Sequence, residues 1–195
     1  LRIRLPRVIK AALIGGGLAT CGVWMQAVFR NPLADPALLG VSAGGGLFAV
    51  LAIFLGLSFA GPWTTPIVAA LGGWGASGLV LSLGHFRRAE HLLVLLLAGL
   101  AINALAGALI SLVLLHSHQV EGLRAILFWL TGNLEVQNWT EVGVLSVFVL
   151  GGTIPALAAG RTMNLLLFGE EEARSLGVPV RRVRLLLLGI NGLVT

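Results

Sequence analysis

The chain has 195 residues, 57% of them hydrophobic and only 11% charged, with a formal net charge of +5 and a mean hydropathy of +0.96. That balance excludes a water-soluble globular domain of this length. The single cysteine excludes a disulfide framework, and the one lysine, Lys10, follows no glycine, which excludes a phosphate-cradling P-loop and ATP hydrolysis by this chain.

Charges are bunched, and the uncharged windows between them set the elements. Arg2, Arg4, Arg7 and Lys10 crowd the start, and the 19 uncharged residues Ala11–Phe29 that follow predict a membrane span near 8–29. The polar string Arg30-Asn31-Pro32-Leu33-Ala34-Asp35-Pro36 ends it. Each proline biases the residue before it away from the helical region, so Asn31 and Asp35 belong to a turn. Pro36 suits the first turn of the next helix, and Arg30 and Asp35 are placed to bridge the turn.

From Pro36 to Phe86 there are 51 residues without Asp, Glu, Lys or Arg. One crossing takes roughly 20 residues, so this window folds back on itself. Gly61-Pro62 and Pro66 put the reversal at Ser58–Pro66, between spans near 39–58 and 64–84. After His85, Arg87, Arg88 and His91, the 24-residue window Leu92–Leu115 predicts a fourth span. The 116–140 loop carries His116, His118, Arg124 and the apolar segment Ala125–Leu130, which suits an interfacial helix; a fifth span follows near 141–160.

The 161–184 loop contains Gly169-Glu170-Glu171-Glu172-Ala173-Arg174-Ser175-Leu176-Gly177-Val178-Pro179. Three glutamates complement the dipole at the start of a short helix, and Gly177 with Pro179 supplies its stop. A sixth span begins near Val183 and is cut at Thr195. The fold class is therefore all-α, a polytopic transmembrane helical bundle with about six spans here. It reads as one membrane domain over 1–195, a portion of a longer protein.

Loop charge orients the bundle. The loops at 30–36, 85–91 and 161–184 share one side and hold eight arginines, against five basic residues on the other side. The positive-inside rule places the eight-arginine side in the cytoplasm. The four basic residues at the start then lie outside, where they either anchor a helix end at the headgroups or offer a cationic surface to a partner. Glycine-rich pairs such as Gly40–Gly44, Gly15–Ala19 and Gly72–Ala76 predict close helix packing. Trp24 and Trp74 read as packing residues, whereas Trp63, Trp129 and Trp139 fall near span ends. Polar side chains inside spans, Gln26 and Asn103 chief among them, suit either bonds between helices or a place along a transport pathway. None is ionisable, which argues against ion-coupled carriage. The histidines lack Cys or carboxylate company at ligand spacing, so no metal site is expected, and no basic face interleaved with aromatics points to nucleic acid.

The order of Arg4-Leu5-Pro6-Arg7, one span, the Arg30–Pro36 string with Leu39-Gly40-Val41-Ser42-Ala43-Gly44 after it, and the Gly169–Gly177 segment resembles the FecCD-type permeases. That family supplies the membrane subunits of binding-protein-dependent ABC importers for iron–siderophore complexes, haem and cobalamin. The resemblance implies about ten helices in the full protein and a place in the bacterial inner membrane. It also implies a second permease copy, identical or not, a separate ATP-binding subunit, and a periplasmic or lipoprotein substrate-binding protein. No cofactor is implied, and the chain would not itself be an enzyme. By the same resemblance, Arg4 and Arg7 meet carboxylates of the binding protein. Glu170, Glu171, Glu172, Ala173, Leu176 and Gly177 form the helix that couples to the ATPase, with Ala173 and Gly177 small enough for close approach. Arg30, Asn31, Pro32, Asp35 and Pro36 make a cytoplasmic turn near it. The competing expectation is a secondary transporter or channel with no ATPase.

Overall fold

A computed structural model of the chain describes residues 4–61, 63–85, 91–117, 120–132, 134 and 139–194. Arg2 of the basic cluster, Pro62 of the predicted turn, the Arg87–Arg88 pair and His118 lie outside the described residues, as do the side chains of His85, His91 and Glu170. All regular structure among the described residues is helical. In chain order it comprises α1 (Arg4–Phe29), α2 (Val41–Phe54), α3 (Thr64–His85), α4 (His91–His116), α5 (Val120–Thr131), α6 (Trp139–Ala158), α7 (Gly160–Phe168), α8 (Glu170–Ser175) and α9 (Val180–Val194), with 3₁₀ turns at Pro36–Leu39 and Leu57–Ala60. The expected helical bundle is present. Two compact units divide it, one made of residues up to Pro36 with those from Leu134 onward, the other of Ala37–Asn133.

Among the described residues, four segments are long and apolar enough to cross a membrane: Arg4–Phe29, Thr64–Leu83, Val94–His116 and Trp139–Ala158. The span expected over 39–58 is shorter than that. α2 has 14 residues, about 21 Å at 1.5 Å per residue against a hydrocarbon core of about 30 Å. Its limits are Gly40 and Gly56, both in the left-handed region at φ 74° and 72°. α1 starts earlier than expected, because Pro6 sits in its first turn, where a missing N–H breaks no helical bond.

In the first unit α1 lies against α6, α7 and α9. Trp24 and Ala27 of α1, Ala156 of α6 and Met163 of α7 form a buried cluster, with Val183 and Ile190 of α9 packed on it. Lys10 of α1 and Glu141 of α6 pair at 3.9 Å near the helix starts.

The second unit is built around α2, which touches α3, α4 and α5. Val41, Gly44, Gly45 and Phe48 on α2 meet Ala69, Gly72, Gly73 and Ala76 on α3. Both sets follow the i, i+3, i+4, i+7 spacing of one helix face. A Cβ added at Gly44 would lie 2.6 Å from the Gly72 carbonyl oxygen, and one at Gly72 would lie 2.6 Å from that of Gly44. Gly46 faces Leu130 of α5 and Ile110 of α4 instead. The expected close packing is present at Gly44 and at the Gly72–Ala76 face; Gly40 instead caps α2 and sits against Ile102 of α4, and Gly15 has nothing within 4 Å of its added Cβ. Trp74 is 41% exposed, against 2% for Trp24.

Candidate functional site

The predicted site residues in the first unit gather where α1 ends. α1 closes with the Asn31 N–H donating to the Gln26 carbonyl at 3.2 Å, a bond that turns the chain back at Arg30. Arg30 sits at φ 49° and is the sole non-glycine residue with positive φ among the described residues. For a residue with a Cβ that backbone costs about 1–2 kcal/mol. The turn beyond it is closed by the Asn31 side chain, whose Oδ1 accepts from the Leu33 N–H at 2.9 Å, and by the Ala34 N–H donating to the Asn31 carbonyl at 3.0 Å. Short polar side chains that bond two residues onward favour this kind of reversal.

Side-chain amides satisfy the proline carbonyls of the turn. Gln26 Nε2 donates to Pro32 O at 3.0 Å, so Gln26 ties the turn to its own helix and not to another helix. Asn191 Nδ2 of α9 reaches Pro36 O at 3.4 Å and is fully buried. Asn191 escaped the sequence reading; the one signal for it is a lone amide in the apolar run Leu185–Val194. In the second unit Asn103 Nδ2 of α4 donates to Ala37 O at 3.1 Å, a bond between elements as expected. Its Oδ1 is buried without a hydrogen-bond partner among the described residues.

α8 is the short helix read from the three glutamates. It ends with the Val178 N–H bonding the Ala173 carbonyl at 2.9 Å and the Gly177 N–H bonding the Arg174 carbonyl at 3.0 Å. This is the paired closure that needs a left-handed residue, supplied by Gly177 at φ 82°. Ala173 is fully buried in a cluster with Leu166 of α7 and Val180 of α9, with Val178 packed on it. Its small size therefore serves packing within the chain, not close approach by a partner. Glu171, Glu172, Leu176 and Gly177 are exposed.

α7 was expected to be loop. It forms because Met163 and Leu166, three residues apart, bury one face on the bundle while Arg161, Leu167 and Phe168 stay exposed. Phe168 at 76% and Leu176 at 64% exposure flank α8, an apolar pair left largely uncovered by the described residues. At the opposite end of α1, Arg4 and Arg7 stand one turn apart, both exposed, with Pro6 buried beside them.

These features define a multi-pass helical membrane protein with a pinned turn and a capped short helix at one end of its first unit. The model of the FecCD transport family matches residues 1–195. The chain belongs to that family. It is 39% identical to the hemin transport system permease protein HmuU of Yersinia pestis, over 100% of this chain and 58% of the relative. It is 38% identical to the molybdate import system permease protein MolB of Haemophilus influenzae, over 98% of this chain and 56% of the relative. With an uncharacterized ABC transporter permease protein of Bacillus subtilis, YvrB, it shares 36% identity over 100% of this chain and 56% of the relative. The chain thus spans little more than half the length of these curated relatives. A solved metal-chelate type ABC transporter in an inward-facing conformation superposes with a TM-score of 0.87 at 35% identity, over 99% of this chain and 61% of that one.

Proposed function

We propose that the full-length protein is the membrane permease subunit of a binding-protein-dependent ABC importer. In this reading it carries a metal-bearing ligand (a ferric siderophore, haem or cobalamin) into the bacterial cytoplasm, and ATP is hydrolysed by a separate subunit. The observation that carries the proposal is α8: a capped helix anchored inward by Ala173 and leaving Glu171, Glu172 and Leu176 outward. Family membership over the whole chain supports it, as do relatives named as import permeases.

On this reading two permease copies form the pathway, and the loop arginines place α8 and the Arg30–Pro36 turn in the cytoplasm. Closure of the ATPase pair on nucleotide pushes α8, and the bundle switches access. Arg4 and Arg7 face outward to the binding protein, where a guanidinium fork holds a carboxylate through two parallel bonds. Such rim charges set register and encounter rate more than affinity.

Two measurements test the proposal. A cysteine at Leu176, in the full-length protein with buried Cys21 replaced, should cross-link to the ATPase subunit in a nucleotide-dependent way. Absence of any cross-link, with both proteins intact in the membrane, would remove the importer reading in favour of a carrier without an ATPase. Separately, Arg4→Glu combined with Arg7→Glu should slow binding-protein association about tenfold or more at low salt and much less at high salt. Equal association rates for variant and parent would place the docking surface elsewhere.

A further inference from the structure

Arg30 occupies a backbone conformation that glycine adopts at no steric cost, and the Asn31–Gln26 closure would form equally with glycine there. What glycine would lack at this position is the guanidinium. Its guanidinium extends to the α7–α8 junction, where Nη1 lies 3.8 Å from the position a Cβ would take on Gly169. Gly169 is itself at φ 133° and ψ 158°, a region open essentially to glycine alone. The Glu172 carboxylate converges on the same point: its Oε2 would clash with that Cβ, and its Cδ lies 3.2 Å away. Glycine at 169 thus leaves a slot bordered by a cation from the end of α1 and an anion from α8, neighbours that are not ion-paired in this conformation.

We propose that Arg30 and Glu172 form an electrostatic latch across Gly169, through which displacement of α8 is passed to the end of α1. The proposal rests on the reading of α8 as the ATPase-facing helix and adds the residues that connect it to a membrane span. Both side chains are exposed, so the attraction is screened and modest. That suits a contact that must release and re-form in each cycle. The turn carrying Arg30 is held to α1 by Gln26 and to α9 by Asn191, so a pull on the guanidinium reaches both helices together. Arg30 and Glu172 are positioning residues and need not touch the cargo.

The test uses the full-length permease reconstituted with its ATPase subunit and binding protein. Arg30→Gly keeps the left-handed backbone and removes the cation; Glu172→Gln removes the anion at constant size. Neither should lower thermal stability, Arg30→Gly relieving backbone strain, and each should leave the Leu176 cross-link to the ATPase unchanged while lowering cargo moved per ATP hydrolysed by about fivefold, the low end of coupling between sites. The exchange Arg30→Glu with Glu172→Arg should recover transport above either reversed single variant. Full coupling in Arg30→Gly, or an exchange no better than its singles, would overturn the latch. Proximity is checked without the ATPase: Arg30→Cys with Glu172→Cys should join through a short bifunctional thiol reagent in permease-only membranes, and failure to join would also overturn the latch. Loss of the Leu176 cross-link in the parent protein would instead overturn the reading of α8 as ATPase-facing, so the two failures are distinct.

Discussion

Gly44→Val should split α2 from α3 and lower the melting temperature of the full-length protein in detergent by roughly 5–10 °C. The added Cβ alone would come within 2.5 Å of the Ala76 Cβ and 2.6 Å of the Gly72 carbonyl oxygen. Neither neighbour can rotate away, because one is a methyl fixed to the backbone and the other is the backbone. Overpacking of this kind typically costs about 1–3 kcal/mol, and each kcal/mol moves the midpoint by about 2–4 °C at this chain length. Lipid supplies no hydrophobic drive to reassociate separated helices, so the lost contact is not recovered elsewhere. Gly75→Ala on the same helix is the control, since nothing lies within 4 Å of its added Cβ; it should melt at or slightly above the parent temperature. A Gly44→Val protein that melts with the parent would mean that α2 and α3 are not in backbone contact.

Ala173→Glu should free α8 from the bundle while leaving the membrane helices folded. Ala173 is fully buried between Leu166 and Val180, and an unpaired carboxylate there costs several kcal/mol. α8 has six residues and too little buried surface to hold against that, so it swings out about Gly169. Binding of the ATPase subunit should then weaken by at least about tenfold, equivalent to 1.4 kcal/mol. Amide exchange in 170–178 should lose protection, while the main melting transition stays within a few degrees of the parent. Unchanged ATPase binding with α8 amides exposed would show that α8 is not the docking helix. Unchanged exchange would show that Ala173 is not its anchor.

Much of the site was legible because local chemistry sufficed for it. Two prolines and the Asn31 side chain make the turn whatever surrounds it, and the Glu170–Glu172 run with Gly177 and Pro179 bounds α8 wherever it packs. The inward orientation of Ala173 was not legible, because a small residue in a short helix suits a buried face and a docking face equally. The partner of Gln26 was equally hidden: an amide six residues before Pro32 can reach forward to the turn or sideways to another helix, and only the closed turn presents the free carbonyl.

The sequence by itself determined the helical class, the approximate limits of four long apolar segments, the turn at Arg30–Pro36 and the capped helix at 170–175. Each follows from charge spacing, proline and glycine placement, or capping, which act over a few residues. Tertiary structure alone decided the short length of α2, the helical state of 160–168, the pairing of Gly44 with Gly72, and the approach of both Arg30 and Glu172 to Gly169. Those outcomes depend on which surfaces become neighbours when distant segments pack, and an apolar run in which nearly every face is greasy does not encode that choice in its local pattern.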